Sequence, residues 1–167
     1  IGYLNKPVKE EQLQQVFKKI KKLAQSSARH ILLIEDDASN QKATSQLLEN
    51  DDIKITSVGT GEKGYKEIMS GIYDAIILDL GLPDMSGFDL LASLQESELD
   101  NIPPVIIYTG REISPGEQKQ LDQYSASIVI KGVSSAERLQ DDLALYLHQS
   151  DYINDEEINL IHDEAAL

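Results

Sequence analysis

The sequence predicts an α/β protein: a doubly wound, five-stranded parallel sheet with extra flanking helices. Three observations point there. Short runs of Ile, Val and Leu alternate five times with segments of helical periodicity. Most of these runs are continuously apolar, as suits strands covered on both faces. Polar residues stop them at their carboxyl ends, where open α/β sheets gather their ligands.

The first strand is Ile31-Leu32-Leu33-Ile34, closed by Glu35-Asp36-Asp37. A helix is expected from Ser39 to Glu49, with Ser39 or Asn40 as N-cap, since such side chains accept from first-turn N–H groups. Ile53 to Val58 reads as a shorter, more exposed strand because Ile alternates with Lys and Thr. Gly61 to Ser70 is expected to be helical with Tyr65, Ile68 and Met69 inward. The third strand, Ala75-Ile76-Ile77-Leu78, drives into Asp79 and breaks at once into a turn rich in Gly, Pro and Ser. From Ser86 a helix carries Phe88, Leu91 and Leu94. Pro104 to Tyr108 is the fourth strand and ends at Thr109-Gly110; a poorly apolar helix follows over Pro115 to Tyr124. Ile128-Val129-Ile130 is the fifth strand, ending at Lys131-Gly132. A last helix, Ser135 to Leu147, should bury Leu139, Leu143 and Leu147.

The two ends read differently. Gly2 to Pro7 resembles a strand end running into a turn, and Leu13, Val16, Phe17, Ile20 and Leu23 form a helical stripe. Residues 24–28 are a small, polar linker. Residues 150–167 hold one more short amphipathic helix (Ile153, Ile158, Leu160, Ile161) that reads as a connector. The expected organisation is therefore residues 1–29 as the tail of a preceding domain, 30–149 as the main domain, and 150–167 as a connector helix.

With 167 residues, 41% hydrophobic and 26% charged, the chain has the composition of a globular domain with some excess length. A net charge of −14 argues against nucleic acid or anionic lipid as a partner. Cysteine is absent, which removes disulfides and thiolate metal sites. No apolar run reaches membrane-span length and the first residues do not form a signal peptide, so a cytoplasmic location is the expectation. His30, His148 and His162 have no partner at metal-ligand spacing and are expected at the surface or in linkers.

The chemistry lies in what ends each strand: Glu35-Asp36-Asp37, Asp79, Thr109 and Lys131. Strands one and three flank the reversal of strand order in a doubly wound sheet, so their acids should face one crevice. Carboxylates crowded there raise one another's pKa unless a cation neutralises them. An all-oxygen set selects a hard ion, and Mg²⁺ suits one or two carboxylates plus a phosphate oxygen. Asp79 is then a carboxylate nucleophile toward a phosphoryl group, with Asp36 and Asp79 as metal ligands and Glu35 assisting through water. Lys131 supplies a second cation, and Thr109 can donate its hydroxyl to the phosphate. Asp37 is expected to assist the pocket, and Asp84 to begin the turn rather than bind metal.

This set resembles the receiver domain of two-component signalling, over His30 to about Gln149. Ile-Leu-Leu-Ile-Glu-Asp-Asp, Leu-Asp-Leu-Gly-Leu-Pro-Asp-Met-Ser-Gly, Thr-Gly and the strand-five lysine occur in family order. The spacings agree too: 43 residues from Asp36 to Asp79, 30 more to Thr109 and 22 more to Lys131. The resemblance implies a flavodoxin-like fold with strand order 2-1-3-4-5. It also implies a phosphoacceptor Asp79 and a Mg²⁺ site of Glu35, Asp36, Asp79 and the Gly81 backbone carbonyl. The phosphoryl donor would be the phosphohistidine of a histidine kinase or phosphotransfer domain. Gly2 to Val8 looks like the last strand and Lys-Pro turn of another receiver, with Lys6 its orphaned lysine, and Ile161 to Leu167 like a connector into a further one. On this likeness the chain is a middle receiver of a multi-receiver hybrid histidine kinase. It would work in a phosphorelay beside neighbouring receivers, and could form a homodimer through residues 9–23 or the final helices.

Two positions depart from the family pattern. Gly132 stands where receivers usually have a cis proline, so the bond is expected either to stay cis under strain or to relax to trans and shift Lys131. Ile128 stands where a ring usually reports phosphorylation, so coupling to the strand-four to strand-five face should be weak or rerouted. The alternatives are a degenerate receiver kept for docking or dimerisation, and a haloacid-dehalogenase-like phosphatase. The latter wants an acid at the position of Gly81. A DNA-binding regulator is disfavoured because no basic effector region follows in the sequence.

Overall fold

The computed structural model describes residues 12–16, 28–125 and 127–149. Five strands, β1 (Arg29–Ile34), β2 (Ile53–Val58), β3 (Ala75–Leu78), β4 (Val105–Thr109) and β5 (Ser127–Ile130), form one sheet in the order β2-β1-β3-β4-β5. Every ladder is parallel. The crossovers are α1 (Ala38–Leu48), α2 (Gly61–Met69), α3 (Gly87–Glu96) and α4 (Pro115–Asp122), and α5 covers residues 135–149. The predicted doubly wound sheet and its strand order are both present.

Strand periodicity divides the core into two layers. Leu32, Ile34, Ile76, Leu78 and Ile107 point to one face, with Ile68 of α2, Leu90, Leu91 and Leu94 of α3 and Leu121 of α4. Ile31, Leu33, Ile77 and Ile106 point to the other, with Leu48 of α1 and Leu139, Leu143 and Leu147 of α5. Burying each such side chain contributes about 1.5–3 kcal/mol, so the central strands hold most of the driving force. This is why β1 and β3, whose ends carry the acids, sit in the middle of the sheet.

Some local expectations are corrected. The N-cap of α1 is Asp37, whose Oδ1 accepts from Asn40 N at 2.8 Å; Ser39 and Asn40 already lie inside the helix. Asp37 is exposed and serves the helix rather than the crevice. In α2, Met69 is 37% exposed rather than inward, while Ile68 is buried and Tyr65 packs at the core's edge. Phe88 is half-buried, and Leu90 joins Leu91 and Leu94 inside.

Residues 12–16 are helical, and Leu13 and Val16 are exposed rather than packed on the domain. The rest of the helix expected over residues 9–23, the strand end and turn expected around Lys6, and the connector expected over 150–167 with His162 fall on residues outside those described. No helix among the described residues is long and apolar enough to cross a membrane.

Candidate functional site

Parallel pairing alone brings the site together. Asp79 N donates to Ile34 O at 2.9 Å, which places Asp79 beside Glu35 and Asp36 as the chain leaves β1. Lys131 N donates to Thr109 O at 2.8 Å, which sets the ends of β4 and β5 level. Residues far apart in sequence thus share one crevice at the carboxyl edge of the sheet.

Asp79 is fixed from both sides. Its Oδ1 accepts from the Thr109 hydroxyl at 3.0 Å and from Gly81 N at 3.1 Å. Its Oδ2 faces Lys131 Nζ at 3.1 Å, and the same ammonium donates to Glu35 Oε2 at 2.7 Å. Glu35 is buried, and its other oxygen accepts from Asp37 N at 3.1 Å. Asp36 is exposed at the mouth of the crevice.

These contacts set the charges. Burial pushes the Glu35 carboxyl up, and the neighbouring Asp79 carboxylate adds to this; Lys131 and Asp37 N offset only part of the rise. Burial also acts to raise Asp79, but the Glu35 contact, Gly81 N–H and the Lys131 ammonium outweigh it and hold this carboxyl below its usual range. For Lys131 burial opposes the charge, and the two carboxylates outweigh it, so its pKa lies above the usual value. The Asp79 carboxyl is thus kept ionised beside a charged lysine.

Glu35, Asp36 and Asp79 each offer a carboxylate oxygen, and these atoms lie within 4.8 Å of one another. A compact set of three hard oxygen donors with no nitrogen or sulfur fits a small divalent cation such as Mg²⁺. Asp84 stands apart from this set. Its Oδ1 accepts from Gly61 N at 2.8 Å and its Oδ2 from Glu62 N at 3.0 Å, so it caps α2 from the neighbouring loop.

The profile described as response regulator receiver domain matches residues 31–144. The chain belongs to this family. Among relatives, the receiver is 40% identical over 82 residues to the transcriptional regulatory protein CiaR of Streptococcus pneumoniae, a match covering 49% of this chain and 35% of the relative. It is 35% identical over 80 residues to the cell cycle transcriptional regulator CtrA of Caulobacter vibrioides, covering 48% and 34%. The match thus spans about a third of the length of these relatives. Among solved structures, it is similar to the signal receiver domain of a protein described as a LuxO repressor from Vibrio parahaemolyticus. There the TM-score is 0.69 and identity 31%, over 77% of this chain and 97% of the other. A CheY-like receiver domain from Methanospirillum hungatei shares the fold, with TM-score 0.65 and 24% identity over 75% and 99% of the two chains.

Sequence reading named the residues that meet at the crevice but missed those that support them. The Lys131 ammonium lies 5.2 Å from the centroid of the Tyr108 ring. Arg111 N approaches Thr109 Oγ1 at 3.5 Å, while its guanidinium pairs with Glu117 and covers the Phe88 ring at 5.8 Å. An aromatic one residue before the strand-end threonine, in a strand otherwise of Val and Ile, was the available signal for Tyr108. At the departing position 132, no peptide bond among the described residues is cis, yet Lys131 still reaches both carboxylates.

Proposed function

We propose that this receiver accepts a phosphoryl group on Asp79 from the phosphohistidine of a histidine kinase or phosphotransfer domain. One observation carries the reading: Asp79 is held ionised between the Thr109 hydroxyl, the Gly81 N–H and the Lys131 ammonium, beside Glu35 and Asp36. An Asp79 carboxylate oxygen attacks phosphorus; the new P–O bond forms as the P–N bond to the donor imidazole breaks, and the departing imidazole nitrogen takes its proton from water. Lys131 and the Thr109 hydroxyl then face the phosphoryl oxygens and offset their charge. Glu35, Asp36, Asp79 and the Gly81 carbonyl would hold Mg²⁺, which when bound neutralises further charge on the phosphoryl group.

The wider context is part of the same proposal. Its support is the likeness of residues 2–8 and 161–167 to neighbouring receivers, which favours a cytoplasmic hybrid histidine kinase phosphorelay. The kinase activity would reside outside these residues.

Intact mass after incubation with phosphoramidate tests the core claim. Wild type is expected to gain one phosphoryl group only with Mg²⁺ present, and Asp79→Asn none. An adduct that persists in Asp79→Asn would overturn the assignment.

A docking or dimerisation module is the second reading, and Ile128 favours it. This aliphatic residue packs at the core's edge and lines an open groove of about 420 Å³ with Ile113, Ile130 and Arg138. No ring stands there to move with Thr109, so phosphorylation should alter this face little. A large change of the β4–β5 face between free and beryllofluoride-bound protein would count against weak coupling.

A further inference from the structure

We propose that Tyr108 is a positioning residue for Lys131: the face of its ring holds the lysine ammonium at the crevice, and Ser135 locks the turn that carries the lysine. The inference deepens the phosphoacceptor reading and rests on it.

The turn after Lys131 has little packing of its own. A Cβ at Gly132 would meet nothing within 4 Å, and Val133 is 97% exposed. Ser134 has a positive φ of 71°. Glycine adds backbone freedom here, and the lysine stem has four further rotatable bonds. Left to itself, such a segment would spread the ammonium over many positions, and ordering it has an entropic cost.

Three contacts restrict it. Ser135 Oγ donates to Gly132 O at 2.8 Å and lies 3.1 Å from Gly132 N, whose N–H it accepts, so one hydroxyl bridges both ends of the glycine. Ser135 Oγ is also 3.5 Å from the Tyr108 hydroxyl, too long to carry much of the restraint, so the ring face rather than the hydroxyl is what Tyr108 contributes. The Lys131 Nζ stands 5.2 Å from the Tyr108 ring centroid, within the range at which a ring face attracts a cation. Tyr108 itself is set by register, opposite Val129 in the β4–β5 ladder, and packs into the α1 and α5 layer.

The carboxylates alone do not make this ring redundant. Glu35 and Asp79 hold the ammonium in the resting protein, but Asp79 changes charge and shape once it carries a phosphoryl group. The ring face is the same before and after the reaction. It therefore keeps the ammonium near the crevice while the lysine exchanges a carboxylate oxygen for a phosphoryl oxygen.

The test uses the full chain in three forms: wild type, Tyr108→Phe and Tyr108→Leu. Phosphorylation by phosphoramidate with Mg²⁺ is followed by intact mass, and the Lys131 ε-methylene protons by NMR. A ring facing the ammonium shifts those protons upfield, a signature that a merely structural tyrosine would not produce. Wild type and Tyr108→Phe should both show the shift and phosphorylate at similar rates. Tyr108→Leu should lose the shift and react about three- to tenfold more slowly. An unshifted Lys131 methylene in folded wild type overturns the proposal, as does an unchanged rate in a folded Tyr108→Leu variant. Should the leucine variant not fold, the methylene shift in wild type and its retention in Tyr108→Phe decide the matter. If wild type takes up no phosphoryl group, the phosphoacceptor reading falls, while the methylene shift still decides where the ring holds the lysine.

Discussion

The loop that carries Asp79, the proposed phosphoacceptor, and the turn that carries Lys131 are built on opposite principles. Residues 79–86 are pinned to their surroundings at several points. Gly81 N binds the Asp79 side chain, Gly81 and Ser86 form a bridge, Gly87 N donates to Leu80 O, and Asp84 caps α2. Residues 132–134 are held by the Ser135 hydroxyl and by two longer bonds from the start of α5, Ser135 N to Gly132 O at 3.3 Å and Arg138 N to Ser134 O at 3.2 Å. A carboxylate that is to react has to be held within a fraction of an ångström, and the contacts around Asp79 suit the proposed role. An ammonium on a long stem can be placed by what its tip touches, and its turn is left spare.

Glycine substitutions on the two sides should separate most sharply. At Gly87 a Cβ would stand 2.8 Å from Leu80 Cδ2 and 3.0 Å from Leu80 Cα, so the main chain of the Asp79 loop must give way. Gly87→Ala is expected to cost about 1–3 kcal/mol in urea unfolding and to slow phosphorylation of Asp79. Retention of full stability would show the loop to be more compliant than its contacts suggest.

A smaller effect is expected at Asp84, whose carboxyl is held below its usual range by the Gly61 and Glu62 N–H groups. Its folded-state pKa thus lies below the unfolded one. The stabilisation is complete above the ordinary carboxylate value of about 3.9 and is lost as pH falls through the folded-state value. Asp84→Asn should lower Tm at neutral pH, and the gap from wild type should narrow on acidification. A gap independent of pH would mean that shape rather than charge holds the loop.

The smallest change belongs to the spare turn. Alanine at Gly132 meets nothing, and the glycine's φ is not positive, so Gly132→Ala should stabilise by about 0.4–1 kcal/mol through the unfolded chain. Measurable destabilisation would reveal a constraint on this turn beyond the Ser135 contacts.

The same contrast explains what was legible in the sequence. Ile31 to Ile34 and Ala75 to Leu78 are buried on both faces, and an unbroken apolar run is the direct record of that. Because the runs end in acids, Glu35, Asp36 and Asp79 could be assigned to one crevice from the sequence alone. Thr109 and Lys131 followed from the same strand-end logic. What escaped were contacts between elements that leave no local pattern. Asp84 read as a turn residue because its partners, Gly61 and Glu62, lie on a different helix. Asp37 read as a pocket acid because it stands in an acidic triplet, yet the helix dipole and the Asn40 N–H claim it. Met69 carries the right spacing for the core, but the last turn of α2 points its neighbour Ile68 inward and leaves Met69 37% exposed. Tyr108 passed as an ordinary strand residue, since its value depends on a lysine from the next strand.

Lys131 and Glu35 are 96 positions apart in the chain, and the ion pair between them closes the crevice. Neither the acids of β1 and β3 nor the lysine after β5 completes the proposed phosphoacceptor site by itself. No tight hairpin shortcut exists in a sheet whose ladders are all parallel, because each pairing waits on a complete crossover. A nascent chain, or one with its last strand melted away, therefore presents an aspartate that is chemically commonplace. Competence to receive a signal becomes a property of the finished domain, and the protein certifies its own folding before it can be addressed.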